Sequence, residues 1–110
     1  MMKLALSTAA SGLLRALIKR SGAERQTVVL SNFQSIDWQS LTFIGERHEL
    51  SLRILGPDAM QSARRMTDNL ADTEFSIAGQ LVADIALLDE PKQDADGSVL
   101  LHIEALTLVD

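Results

Sequence analysis

The 110-residue chain contains no cysteine and no tyrosine, and it has only one tryptophan and two prolines. Without cysteine it forms no disulfides, offers no thiol nucleophile and cannot ligate zinc or an iron–sulfur cluster through thiolates. The lack of cysteine suits a reducing compartment, so we expect a cytoplasmic protein. No apolar run reaches the roughly 18 residues that a membrane-spanning helix needs. The sequence implies no cofactor.

Aromatic residues and positive charge are both scarce. Aromatics make up 4% of the chain, and ten Lys/Arg oppose fifteen Asp/Glu for a formal net charge of −5. Surfaces that bind nucleic acid need basic residues, and those that stack bases also need exposed aromatic rings. We therefore expect no nucleic-acid partner.

The charge is spread unevenly along the chain. Residues 1–25 sum to +4, residues 26–65 to zero and residues 66–110 to −9. This asymmetry predicts that the N-terminal helix lies within reach of acids from the final third, in the same subunit or in a partner. Membrane-surface docking through residues 1–20 is a less favoured alternative, because the apolar stripe there is narrow and lacks aromatics.

The first periodic segment predicts a helix over residues 7–21. Its apolar residues recur at helical spacing. Ser7 is suited to cap the beginning of the helix, and Gly22 is suited to end it. A second helix is predicted after Pro57, because proline fits the first helical position.

Between the two helices the apolar period changes to two, which is typical of strands. Strands are predicted at residues 26–30, 41–44 and 48–54, with a hairpin turn at residues 45–47. Alternation resumes over residues 74–88, and this length predicts a bend or bulge at Gly79.

The predicted last strand, residues 98–109, is apolar on both faces. Val99, Leu101 and Ile103 share one face. The other face carries Leu100, Leu106 and Leu108 beside His102 and Glu104. This second set either lies in the core of a sheet covered on both sides or contacts another subunit.

The predicted order α-β-β-β-α-β-β indicates a single α+β domain over residues 1–110. We expect a two-layer sandwich, in which a mostly antiparallel sheet of about five strands carries two helices on one face. A ferredoxin-like sheet is the alternative.

No motif identifies a reaction or a metal. Glu46 and His48 would share one face if both lay in a strand, and His102 and Glu104 share one face of the predicted last strand. These four side chains could form a carboxylate–histidine site if the strands were close, but no metal-binding signature is present. The P-loop, dinucleotide-binding and nucleophile-elbow motifs are also missing.

The sequence therefore favours a non-enzymatic interaction or assembly module that acts as a homo-oligomer, with Leu100, Leu106 and Leu108 at the interface. The alternative is a small-molecule-binding protein or enzyme. Its pocket residues would be Trp38, His48, Arg53, His102 and Glu104.

Overall fold

Two helices and five strands form within residues 5–110, the part of the chain that the computed structural model describes. Lys3, which contributes to the charge of +4 over residues 1–25, lies outside the described residues. The elements are α1 (Thr8–Ser21), β1 (Val28–Gln39), β2 (Ile44–Ile54), α2 (Ala59–Thr67), β3 (Gln80–Leu87), β4 (Lys92–Gln93) and β5 (Val99–Val109). Within residues 5–110, neither helix has the length and hydrophobicity that crossing a membrane requires.

The first helix has the predicted ends. The hydroxyl oxygen of Ser7 accepts a hydrogen bond from the backbone N–H of Ala10 at 3.1 Å. At the other end, Gly22 has a φ of +69° and donates its backbone N–H to the carbonyl of Lys19. This left-handed conformation is the usual helix stop that glycine permits.

The hairpin between β1 and β2 turns earlier than predicted. The turn is at residues 40–43, and residues 45–47, predicted to form it, lie inside β2. Ser40 holds this turn, because its backbone N–H donates to the carbonyl of Phe43 at 2.8 Å and its hydroxyl accepts from the Phe43 N–H at 3.1 Å. Gly45, which suggested a turn in the sequence, instead lies where the backbones of β2 and β5 approach each other closely.

The predicted strand over residues 74–88 is wrong in its first half, because β3 begins only at Gln80. Gly79 precedes it with a φ of +75°, which confirms a bend at that residue. In a regular strand Leu81 and Ile85, four residues apart, would point to the same face. An irregularity between Val82 and Asp84 shifts the pairing by one residue, so these two side chains point to opposite faces.

The sheet runs in the order β1-β2-β5-β3, with β4 paired to the beginning of β5, and each of these pairings is antiparallel. The protein is thus an α+β fold with a five-stranded antiparallel sheet. The observed order α-β-β-α-β-β-β differs from the prediction in two places. The predicted strand over residues 41–44 is wrong, because all of it but Ile44 lies in the turn, and the short strand β4 was not predicted. It also differs from the β-α-β-β-α-β order of a ferredoxin-like fold.

Both helices pack on one face of the sheet, which we call the inner face. Leu13 and Leu17 of α1 and Met66 of α2 share one apolar core with Leu52 of β2 and Leu101 of β5, and all five are at least 98% buried. Alternate residues of the same strands point to the opposite side, the outer face. The second apolar set of β5 therefore lies on the face away from the helices.

Candidate functional site

The outer face carries apolar side chains at one end, where β3 begins and the β1–β2 hairpin turns. The strand register places Trp38, Gly45, Leu108 and Leu81 side by side in one row across β1, β2, β5 and β3. In the neighbouring row, Ile36 and Leu106 flank Arg47. We call the set Ile36, Trp38, Leu81, Leu106 and Leu108 the apolar patch.

Two members of this patch are strongly exposed. Ile36 retains 54% and Leu81 retains 46% of its accessible surface, whereas Leu108, at the centre of the row, retains 9%. Exposed apolar side chains are common singly but not as a contiguous set in register. The apolar patch is thus a candidate contact surface.

Charged residues of both signs occupy the middle of the outer face. Glu49 lies directly opposite Glu104, which is unfavourable for two like charges on paired strands. Arg47 offsets this repulsion in part, with a guanidinium nitrogen 3.8 Å from a Glu104 carboxylate oxygen. Both of these side chains are partly open to solvent, so the pair stabilises the fold only weakly.

Beyond the charged residues, the outer face contains a groove of about 450 Å³. Its polar lining includes Asn32, Ser51, Asp89, Lys92 and His102. The Nδ1 atom of His102 lies 3.5 Å from a carboxylate oxygen of Asp89, and Ser51 is the direct cross-strand partner of His102. These groups can donate and accept hydrogen bonds with a small polar molecule.

His48 lies on the inner face and is completely buried. Its Nδ1 atom is 2.7 Å from the hydroxyl of Ser35, and its Nε2 atom is 2.8 Å from the hydroxyl of Thr107. Burial lowers the pKa of His48, and the negative charge of Glu46 opposes this shift only in part. A neutral imidazole suits these contacts, because one ring nitrogen donates and the other accepts.

The residues predicted to line one pocket are therefore separated. Trp38, Arg53, His102 and Glu104 lie on the outer face, but the sheet itself stands between them and His48. Trp38 and Arg53 are also at opposite ends of that face, since they pair with Gly45 and Val29 respectively. Trp38 lines a different cleft, of about 400 Å³, from the groove at His102.

Arg53 has a specific structural partner. Its guanidinium donates to the carboxylate of Asp94 at 2.8 Å and to the hydroxyl of Ser98 at 2.6 Å. Ser98 in turn donates its hydroxyl and its backbone N–H to the carboxylate of Asp96. These bonds hold the loop between β4 and β5 against β2.

Glu46, His48, His102 and Glu104 do not form the carboxylate–histidine cluster that their spacing allowed. The sheet separates the first two from the last two. Among residues 5–110, no three His, Asp or Glu side chains are arranged to hold a metal ion.

The three predicted interface leucines do share the outer face. Leu106 and Leu108 belong to the apolar patch, and Leu100 lines the groove at His102. The sequence did not single out Ile36, Leu81 or Ser51 as members of a site. Ile36 could have been identified, because it lies two residues from Trp38 in one strand and shares its face, but the places of Leu81 and Ser51 depend on which strands are neighbours.

No protein-family model, curated protein or solved structure matches this chain.

Proposed function

We propose that this protein is a non-enzymatic assembly module that forms a homodimer by packing the outer faces of two sheets against each other. The observation that carries this proposal is the apolar patch, which lies in register on the sheet face opposite the helices. Burying such side chains against a second copy removes them from water, which is the main driving force of association.

The size of the face suits a dimer interface. The four long strands β1, β2, β5 and β3 have 12, 11, 11 and 8 residues. At a spacing of about 4.8 Å and a rise of about 3.3 Å per residue they give a face of roughly 670 Å². A stable interface of standard size buries about 800 Å² on each partner. The outer face therefore supplies nearly the whole area that one partner needs.

The charges on the outer face also favour a second copy as the partner. Arg47, Arg53, Glu49 and Glu104 place both signs on this one face. In a two-fold symmetric contact the same patch meets itself, so a patch of mixed sign can pair its cations with the partner's acids. The opposed carboxylates of Glu49 and Glu104 would gain a cationic neighbour in this way.

The test replaces two exposed residues of the apolar patch. Because Ile36 and Leu81 are about half exposed, Ile36→Lys with Leu81→Lys places the new charges in solvent in the monomer and in the interface of the dimer. We expect size-exclusion chromatography with light scattering to show monomers for this variant and unchanged circular dichroism. Leu55→Lys is the matched control, because Leu55 is 39% exposed and follows the opposite end of β2.

A control that dissociates as readily as the double variant would argue against the outer face as the interface. So would a double variant that keeps the oligomeric state of the unmodified chain. We further infer a cytoplasmic location from the absence of cysteine.

A second candidate function is the binding of a small polar molecule, with or without catalysis, in the groove at His102. The observation that favours it is the close approach of His102 to Asp89 beside Ser51 and Lys92. A thermal-shift screen with inorganic phosphate and small carboxylic acids tests it, since a ligand at about 100 times its Kd adds about 2.7 kcal/mol of stability. A shift that disappears in His102→Ala supports this function, and the absence of any shift opposes it.

A further inference from the structure

The two helices contain half of the cations of the chain and none of its acids. Arg15, Lys19 and Arg20 belong to α1, and Arg64 and Arg65 belong to α2, whereas all fifteen Asp and Glu residues lie elsewhere. The two helices themselves are therefore basic although the chain has a net charge of −5, and acids such as Asp58 and Asp68 flank them. Such a segregated surface attracts a partner of negative charge.

A cleft of about 600 Å³ opens between α1 and residues 73–78. Arg15 and Lys19 line its wall on α1, one helical turn apart, and Phe75 and Ile77 supply apolar surface on the other wall. The walls meet at Gly12, where an added Cβ atom would lie 2.6 Å from a methyl carbon of Ile77. The cleft thus combines a cationic side with an apolar side.

Arg20 already has partners and serves as a fixed part of this cleft. Its guanidinium donates to the backbone carbonyls of Met66 and Asp68, and it lies 5.9 Å from the centre of the Phe75 ring. Arg15 and Lys19, by contrast, are exposed and form no ion pair within residues 5–110. Glu74 also lines the cleft, so it would compete with a bound anion for these two cations.

The segment opposite α1 offers backbone groups as well as side chains. Glu74, Phe75 and Ser76 lie outside the helices and strands, and within residues 5–110 their N–H and C=O groups make no backbone hydrogen bond. Free backbone groups of this kind can pair with an extended peptide, as a sheet edge does. This feature favours a peptide over a free small anion.

We propose that this cleft binds an extended acidic segment of a partner protein. The carboxylates of the segment pair with Arg15 and Lys19, its backbone runs along residues 74–76, and an apolar side chain packs on Phe75 and Ile77. The proposal concerns the helical layer, so it is independent of the dimer contact on the outer face.

The test measures the anisotropy of a labelled peptide of alternating Glu and Leu at low salt, with a Lys and Leu peptide as the peptide control. We expect Arg15→Gln with Lys19→Gln to weaken binding at least about tenfold. Arg64→Gln with Arg65→Gln removes the same charge from α2 and should leave the affinity nearly unchanged. Glu74→Gln should tighten binding, because it removes the competing carboxylate, and added salt should weaken it.

Absence of peptide binding overturns the proposal, and so does an equal loss of affinity in the two double variants. Binding to heparin or to anionic lipid vesicles without binding to the peptide also overturns it, because the surface would then recognise another class of partner. The Ile36→Lys and Leu81→Lys variant should bind the peptide normally. Loss of dimerisation and loss of peptide binding are therefore separable.

Discussion

Gly45 on β2 and Thr107 on β5 approach so closely that a Cβ atom built on Gly45 would overlap the backbone carbonyl oxygen of Thr107. The backbone Cα of Leu108 is also within 3.0 Å of that position. These are main-chain atoms of a central strand, so they cannot move aside as the end of a flexible side chain can. Position 45 therefore requires glycine, and it lies in the same row of the sheet as Trp38, Leu108 and Leu81 of the apolar patch.

Gly45→Ala should lower the free energy of unfolding by at least about 2 kcal/mol, because it forces the paired backbones of β2 and β5 apart. Urea denaturation followed by circular dichroism measures this change. Gln61→Ala, at an exposed position of α2 away from the outer face, is the control and should have a small effect. Equal stability of Gly45→Ala and the unmodified chain would show that the strands separate there at no cost.

Stability should fall as the pH is lowered through the ordinary histidine pKa of about 6.5, and His48 should be the cause. Burial lowers the pKa of His48 in the folded protein, so below pH 6.5 the unfolded chain binds a proton that the folded chain does not. The slope from one such group is at most about 1.4 kcal/mol per pH unit. Urea denaturation across the range from pH 7 to pH 5 measures it.

The matched variants for this pH dependence are His48→Gln and His102→Gln. Glutamine at position 48 can still donate and accept hydrogen bonds with Ser35 and Thr107, but it does not titrate. We expect His48→Gln to flatten the profile and His102→Gln, on the partly exposed outer face, to retain it. If His48→Gln had the profile of the unmodified chain, His48 would not be the titrating group.

The loop between β4 and β5 should become mobile when Arg53 is replaced. Arg53→Gln removes the bonds to Asp94 and Ser98, and we expect faster amide hydrogen exchange over residues 94–98. The loss of global stability should stay below about 1 kcal/mol, because the Arg53 and Asp94 side chains are each about one-third exposed. Lys92→Gln, in strand β4, is the control that should leave amide hydrogen exchange in this loop unaltered.

A separate acid transition should involve Asp96, whose hydrogen bonds from Ser98 lower the pKa of its carboxyl group. The folded-state pKa is depressed, so the contribution of this group is present above its ordinary value near 3.8 and is lost as the pH falls below it. Asp96→Asn should reduce the pH dependence of hydrogen exchange in residues 94–98 in that acidic range. An unchanged dependence would show that Asp96 does not titrate with the loop.

Local signals in the sequence were sufficient for the helices and for most of the sheet. Ser7 and Gly22 mark the ends of α1 through short-range chemistry, and the alternation of β5 is visible without any neighbour. The errors arose where tertiary packing overrides local preference. Gly45 resembles a turn residue in sequence, but it is needed for close strand approach.

The candidate sites were less predictable because strand order and register are not local properties. His48 and His102 are equally plausible pocket residues in sequence, yet the register of β2 and β5 puts them on opposite faces. The irregularity between Val82 and Asp84 likewise brings Leu81 to the apolar patch, which simple alternation along residues 74–88 does not predict.

We propose that the outer face of the sheet joins two copies of this chain. Sedimentation equilibrium of the unmodified protein over a wide micromolar range measures whether this dimer forms. We expect a mass of twice the 12.0 kDa of the chain, with dissociation only at the lowest concentrations. A mass of 12.0 kDa at every concentration would contradict it.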